Sequence, residues 1–479
     1  MTLRDLFPDI NLKSPDLGVS GITADSRKVS AGSIFAALRG VQADGRDYIP
    51  QAIANGAIAV LGHDLPSDLP VPAIDVEEPR LALAQISAQL YPEQPETMIA
   101  VTGTNGKSST VDFLRQIWEH MGKRAASLGT LGAVGPSGAI DLGHTTPDPV
   151  AIHQTLQSLA ADGVTHAAME ASSHGLAQYR LDAVKLVAAA FTNLTQDHLD
   201  YHPSFEEYRD AKLRLVKELL PAKCPVIINA DSDERESFKQ AGATKECPVI
   251  SVGWRGADLK ISELMPRAHG QKLFLNWRGE EAELDLPLIG EFQALNALTA
   301  AGLALALGDP FDAVLAGMAA LRPVKGRMEF VGETANGAGV FVDYAHTPDG
   351  LDTLLRAARP HTAGQLILVF GAGGDRDRTK RPLMGGVAAK HADQVIVTDD
   401  NPRSEVPETI RSAILAAAPD AAEIGDRRSA IFEGVRRLKA GDTLLIAGKG
   451  HETGQTVGDK TLPFSDQDTA LAALAGEAE

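Results

Sequence analysis

Met98-Ile99-Ala100-Val101-Thr102-Gly103-Thr104-Asn105-Gly106-Lys107-Ser108-Ser109 is a short apolar run that stops at a glycine-rich turn and leaves through a Lys-Ser pair. Beyond it Phe113, Leu114, Ile117, Trp118 and Met121 recur at helical spacing, so the segment predicts a buried strand, a loop and an amphipathic helix. Such a loop points backbone N–H groups at an anion, and the helix N-terminus adds about half a positive charge. Lys107 would then reach the β- and γ-phosphates of a nucleotide and the Ser108 hydroxyl would ligate Mg²⁺, with Gly103, Thr104, Asn105, Gly106 and Ser109 forming the rest of the cradle. The full pattern asks for glycine five residues before Gly106; Val101 stands there, so this is a shortened loop in which Gly103 supplies the flexibility. ATP binding is expected, but the loop alone does not separate a kinase, an ATPase and a ligase.

Working outward, strand candidates at 166–169, 186–191 and 225–228 alternate with helical stretches at 151–161 and 205–220, the pattern of a parallel sheet. A helical pair at 292–307 and 311–321 leads into Arg322-Pro323-Val324-Lys325-Gly326, which reads as a linker. A second alternation follows, with strands at 340–344, 366–370, 394–398 and 443–447, as in a small doubly wound domain. On the N-terminal side, short apolar runs at 19–61 lie between Gly and Asp turns, with helical spacing at 47–59 and a linker at 91–96. The expectation is a three-domain α/β protein: a small α/β domain at 1–95, a central P-loop ATPase-like parallel-sheet domain at 96–325 and a Rossmann-like domain at 326–479.

Composition narrows the function. With 45 Lys+Arg against 63 Asp+Glu the formal charge is −18, which argues against non-specific nucleic-acid or anionic-membrane binding, both of which need clustered cations. Cys224 and Cys247 are too few for a disulfide framework, and two reduced thiols suggest a cytoplasmic protein. The N-terminal stretch has acid and proline where a signal peptide needs an apolar run, and nothing approaches the roughly 18 apolar residues of a membrane span. A monomer without membrane insertion is expected.

Four strings carry a family resemblance. The loop at 102–108 is followed by Met169-Glu170-Ala171-Ser172-Ser173-His174-Gly175-Leu176, by Thr192-Asn193-Leu194-Thr195-Gln196-Asp197-His198-Leu199-Asp200-Tyr201-His202, and by Asp343-Tyr344-Ala345-His346-Thr347-Pro348. In order and spacing the chain resembles the Mur ligases along nearly its whole length, and within them the ligases that add the third residue to a UDP-N-acetylmuramoyl-dipeptide. The resemblance implies ATP-dependent amide-bond formation: the substrate carboxylate takes the γ-phosphoryl group, the incoming amine attacks the acyl phosphate, and ADP and phosphate leave. It implies Mg²⁺ on Glu170, Ser108 and His198, and a CO₂-derived carbamate on Lys212 as a further ligand. Read without the resemblance, Lys212 is a solvated lysine on an amphipathic helix.

The other site residues come from the same resemblance. Ala24, Ser26, Val41, Gln42 and Ala43 match segments that hold the uridine nucleotide, while Thr145, Thr146, Ser172, Gln178 and Arg180 match those that hold sugar, diphosphate or peptide. Asn296, Arg327, Asp343 and His346 match positions that close on ATP. Asp400-Asn401-Pro402-Arg403 resembles the recognition string of the branch that adds meso-diaminopimelate, joined by Arg376, Gly448 and Glu452. The far end of that amino acid carries a planar carboxylate for Arg403 to grip and an ammonium from which Asp400, Asn401 and Glu452 could accept. L-Lysine has no carboxylate there, so Arg403 would repel it. The alternatives are the lysine-adding branch, a folate polyglutamate synthase sharing the phosphate loop, and an ATP-binding protein without catalysis.

Overall fold

The computed structural model describes residues 1–10, 12–40, 43–195 and 202–477. The chain forms two compact units, Met1–Val252 with Thr299–Pro310, and Gly253–Leu298 with Phe311–Glu479.

In the first unit the N-terminal segment makes a four-stranded parallel sheet, Gly21–Thr23, Ser33–Ala36, Ala59–Gly62 and Ala73–Asp75, paired in sequence order. The helical spacing at 47–59 yields only the helix Ile49–Ala54, because Pro50 sits in its first turn and the chain turns back through Gly56 to reach the next strand. A second sheet runs in the order Val249–Gly253, Val226–Asn229, Ala188–Phe191, Thr97–Thr102, His166–Glu170, Ala125–Gly129, Gly132–Gly135 and Gly138–Ile140. The first six strands are parallel and the last two turn back antiparallel. The apolar runs of the central parallel strands are buried on both faces, as parallel strands between helices must be, whereas Gly138–Ile140 at the edge is exposed. The helix Lys107–His120 buries Val111, Phe113, Leu114, Ile117 and Trp118 as its spacing predicts, while Met121 caps its end half-exposed. The stretch expected as one helix at 205–220 is the helix Phe205–Arg214 followed by the π-helical turn Leu215–Leu219.

The second unit holds an antiparallel meander, Leu259–Arg267, Gly270–Trp277 and Glu280–Leu286, and a six-stranded sheet. That sheet runs Glu329–Glu333, Gly339–Asp343, Thr443–Ala447, Leu366–Phe370, Gln394–Val397, Ala422–Glu423, parallel except at its first pair. Loops leaving the carboxyl ends of four adjacent parallel strands begin at Tyr344, Gly371, Thr398 and Gly448. In open α/β sheets this edge is where ligands bind. No helix among the described residues is long and apolar enough to cross a membrane.

Candidate functional site

In the first unit the site grows from three neighbouring strand ends, Thr102, Glu170 and Phe191. The phosphate loop is held from beside by the segment after Phe191. Thr104 N–H donates to Asn193 O at 2.8 Å and Asn105 N–H to Asn193 Oδ1 at 3.0 Å, while the Thr192 hydroxyl donates to Asn105 O at 2.6 Å. Lys107 Nζ folds onto its own loop, donating to Gly103 O at 2.9 Å and Thr104 O at 2.8 Å. Lys212 corrects the solvated reading: it is 1% exposed, donates to Gly103 O at 2.8 Å and lies 4.6 Å above the Tyr208 ring. The Tyr208 hydroxyl in turn meets Thr104 Oγ1 at 3.0 Å. Sequence reading passed over Tyr208, Thr192 and Asn193, whose signal was their place in strings already noticed.

Glu170 is 2% exposed at the end of its strand. Its Oε1 accepts from Thr130 N–H at 2.8 Å, and a Cβ on Gly129 would stand 2.0 Å from that oxygen, so only glycine fits there. Thr130 Oγ1 reaches Glu170 Oε2 at 3.4 Å and Thr145 Oγ1 at 3.0 Å, linking two of the expected site residues through one that was missed. Thr146 Oγ1 donates to Glu170 O at 2.9 Å and accepts from Ser172 N–H at 3.1 Å; Arg180 donates to Thr146 O, and to Gln178 Oε1 at 2.8 Å. Thr145, Thr146, Glu170, Ser172, Gln178 and Arg180 therefore form one connected polar network. Ser108 and Ser109 are buried in the first turn of the helix behind the loop.

The expected nucleotide residues of the N-terminal segment are less uniform. Ser26 is buried with its hydroxyl donated to Gln51 Oε1 at 2.9 Å, and Ala24 and Ala43 are exposed. Val41, Gln42 and His198 lie outside the described residues.

A hard cation needs oxygen donors with lone pairs to spare, and Glu170 fits: a carboxylate has about four lone-pair sites and only Thr130 is bonded to these oxygens among the described residues. No group of three or more His, Cys, Asp or Glu among the described residues could hold a metal. A sparse set of one carboxylate and the Ser108 hydroxyl suits Mg²⁺, which keeps waters and substrate phosphates as its other ligands.

In the second unit, Asp343 ends its strand with each carboxylate oxygen accepting a backbone N–H at 2.7 Å, from Met328 and Ala345. Burial pushes its carboxyl up, opposed by the Arg327 guanidinium and those two N–H groups. Arg327 lies 4.6 Å over the Tyr344 ring, its carbonyl accepting from Gln293 Nε2, and Gln293 shares a side-chain hydrogen bond of 3.0 Å with Asn296. His346 Nδ1 meets Tyr344 O at 2.8 Å, and burial pushes the ring's pKa down. Arg327, Asp343, His346 and Asn296 thus share one neighbourhood.

The loops at 371–377, 400–405 and 448–452 interlock beside it. Arg403 adopts φ +53°, a left-handed conformation costly for a side-chain-bearing residue, held by Arg403 N–H to Thr456 O at 3.0 Å and Gly458 N–H to Arg403 O at 2.7 Å. Its Nη1 donates to Gly374 O at 2.7 Å. Buried Arg381 pairs with Glu405 at 2.9 Å, and Glu405 also accepts from Asp375 N–H, so its carboxyl is pulled down to about 2. Gly448, at φ +119°, would place a Cβ 2.4 Å from Asp400 Oδ2. Pro402 is buried between Asn401 and Arg403, and Arg376 is exposed. Asn401 departs from its expected role as an acceptor. Its Oδ1 is occupied by Thr456 N–H at 2.9 Å and Lys449 Nζ at 3.1 Å, and its Nδ2 donates to Glu452 Oε2 at 2.8 Å.

A shortened phosphate loop flanked by one half-buried and one buried lysine and by a buried carboxylate, together with a doubly wound domain whose edge loops carry cations, defines an ATP-dependent α/β enzyme. Residues 18–91 match the Mur ligase family catalytic domain, 101–304 the Mur ligase middle domain and 326–450 the Mur ligase glutamate ligase domain. The chain belongs to the Mur ligase family. It is 53% identical, over 99% of each chain, to a protein of Mesorhizobium japonicum named UDP-N-acetylmuramoyl-L-alanyl-D-glutamate--2,6-diaminopimelate ligase. A Brucella melitensis protein of the same name is 50% identical, covering 97% of this chain and 96% of its own. A solved structure of a ligase so named aligns over 99% of each chain at 32% identity with a TM-score of 0.74.

Proposed function

We propose that this chain joins meso-2,6-diaminopimelate to the D-glutamyl carboxylate of UDP-N-acetylmuramoyl-L-alanyl-D-glutamate, converting ATP to ADP and phosphate during peptidoglycan synthesis. The observation that carries this reading is that ligases of that name match over 99% of this chain, one of them at 53% identity. A carboxylate is a poor electrophile. Its oxygen attacks the γ-phosphorus, ADP leaves, and the resulting acyl phosphate is then attacked by the amine, which expels phosphate and loses a proton to give the amide. Bringing two anions together calls for fixed positive charge, which Lys107 and the backbone N–H groups of the loop supply at the phosphates. Thr145, Thr146, Ser172, Gln178 and Arg180 orient the carboxylate-bearing peptide, while Asn296, Arg327, Asp343 and His346 hold the nucleotide. Mg²⁺, when bound, offsets the remaining repulsion; Glu170 and Ser108 would hold it, with His198 and a carbamate on Lys212. Arg403 and Asn401 receive the far carboxylate of diaminopimelate, and Asp400, Arg376, Gly448 and Glu452 complete that pocket. Because ATP is an intracellular cosubstrate, the reaction belongs to the cytoplasm.

The lysine-adding reading is disfavoured, since an amino acid without a far carboxylate leaves Arg403 facing an ammonium. ADP release with ATP and the uridine dipeptide should depend on diaminopimelate and stay near background with lysine, the ratio being on the order of 10²-fold or more for loss of a charged bidentate contact. Comparable turnover with lysine would refute the assignment.

A further inference from the structure

Lys449 was part of no expectation, yet its side chain is fully buried, at 0% exposure. A buried cation persists only where partners replace the water it has lost. Its partners are two residues of the amino-acid pocket, Asn401 Oδ1 at 3.1 Å and Glu452 Oε2 at 3.1 Å. These three side chains close a triangle, because Asn401 Nδ2 also donates to Glu452 Oε2 at 2.8 Å.

The triangle has a direction. Thr456 N–H can only donate, so the amide atom facing it at 2.9 Å must be the Asn401 oxygen. Lys449 Nζ, another obligate donor, occupies the same oxygen. Both lone pairs of Oδ1 are thereby used, and Asn401 has only its NH₂ group left to offer. One hydrogen goes to Glu452 and the second remains for a ligand. Glu452 in turn has Oε2 engaged twice and Oε1 bonded to nothing among the described residues. A donor beside an acceptor is what an α-amino acid terminus requires: the NH₂ of Asn401 meets a carboxylate and Oε1 of Glu452 meets an ammonium.

We propose that Lys449 is a positioning residue for the amino-acid substrate, fixing Asn401 as a donor and Glu452 as its adjacent acceptor. The inference rests on placing the far end of diaminopimelate between the loops at 400–403 and 448–452. Lys449 touches neither the substrate nor ATP in this role. Its loss therefore acts on one Michaelis constant rather than on turnover.

The test is steady-state kinetics of the full chain with Lys449→Met, varying each of the three substrates in turn. The KM for diaminopimelate should rise about tenfold or more, with kcat within about threefold and the KM for ATP and for the uridine dipeptide within about twofold. A matched fall in kcat and rise in all three KM values would show a merely structural lysine and overturn the proposal, as would an unchanged diaminopimelate KM. Adding Asn401→Ala to Lys449→Met should cost little beyond the larger single effect, whereas additive effects would show that Lys449 does not act through Asn401. Should the methionine variant not fold, Lys449→Gln takes its place: because it can still donate to Oδ1, it should keep the diaminopimelate KM within about threefold of the parent chain, and a rise in all three KM values would overturn the proposal. Arg403→Leu separates the two layers. If it leaves the diaminopimelate KM unmoved, the pocket assignment falls; if it raises that KM while Lys449→Met does not, only the role of Lys449 falls.

Discussion

Two lysines converge on the carbonyl of Gly103, Lys107 from the helix that follows the loop and Lys212 from a helix more than a hundred residues later. Its two lone pairs can accept from both ammonium groups, but a triphosphate entering the loop would compete with the carbonyl for those donors, so one lysine is expected to change partner or charge when nucleotide binds. Addition of CO₂ to Lys212 would exchange a cation for an anion with two oxygens, placing a hard donor set beside the loop. Lys212→Ala should lower the rate of ADP release by about 10²-fold or more, the scale at which one preorganised charge matters, and formate or bicarbonate should restore part of it. An alanine variant with full activity and no response to added carboxylate would refute the role. The sequence alone made Lys212 a surface lysine, because helical periodicity places it on a polar helix but says nothing of the loop that covers it. Thr130 and Lys449 were missed for the same reason: their partners Glu170 and Asn401 stand 40 and 48 positions away, and hydrogen bonds at that separation leave no pattern in a single chain. The phosphate loop was legible because its strand, glycines, lysine and helix are contiguous.

At the level of elements, the parallel strands that were expected were legible within a residue or two, since strands buried on both faces are unbroken apolar runs between helices, whereas Ala125–Gly129, Val249–Gly253 and Ala422–Glu423 carried no expectation. The meander at 259–286 carried no expectation, because charged residues alternate through it and no run stands out. An ion pair, beside the hydrogen bond from Gln467 Nε2 to Gly450 O at 3.0 Å, ties the second unit's edge loops to its last helix. Arg427 and Asp466 are both 0% exposed and meet at 2.7 Å, and Arg427 donates further to Ala447 O at 3.1 Å and Asp399 O at 3.4 Å, the residues just before Gly448 and Asp400. The helix Asp466–Leu474 is thereby anchored where two strands lead into the loops of the proposed amino-acid pocket. Leaving one partner of such a pair buried alone costs about 3–5 kcal/mol, whereas replacing both by apolar groups is often nearly neutral. Arg427→Met should lose about that much stability in chemical denaturation, and Arg427→Met with Asp466→Leu should regain at least half. A loss under about 1 kcal/mol for the single variant would mean that the pair anchors nothing.

Over the whole molecule, the charge of −18 argues against a nucleic-acid partner but says nothing of the proposed sites, whose ligands would themselves be anions. Cations gather locally, Lys107 and Arg180 in the first unit and Arg327, Arg376 and Arg403 in the second, each group beside a few carboxylates such as Glu170, Asp343 and Glu452, an arrangement that a sum over the chain cannot express. The same distinction between local and summed charge governs acid stability. His153 in the first unit and His451 in the second are both held down to about 4, chiefly by burial, with Lys185 adding to the effect on His153 and Arg327 on His451. In the unfolded chain each takes a proton near pH 6.5, so between about 6.5 and about 4 the unfolded state binds more protons than the folded one. Stability is thus fully present above 6.5 and falls as pH drops through that window. A proton affinity that differs tenfold between the two states is worth about 1.4 kcal/mol, so the fall of the His153 pKa from 6.5 to about 4 accounts for roughly 3 kcal/mol. A second loss belongs to carboxylates such as Glu405 and Glu433, held at about 2 by their arginine partners, and begins only below their unfolded values near 4.5. Urea unfolding at successive pH values should therefore show stability already declining above pH 5, where carboxylates held down by arginine do not titrate, while Asp343, pushed up by burial, opposes the decline. His153→Leu should make that upper stage shallower, His451 and His346 keeping part of it, while leaving the one below pH 4 in place; an unchanged slope in the variant would remove His153 from the account.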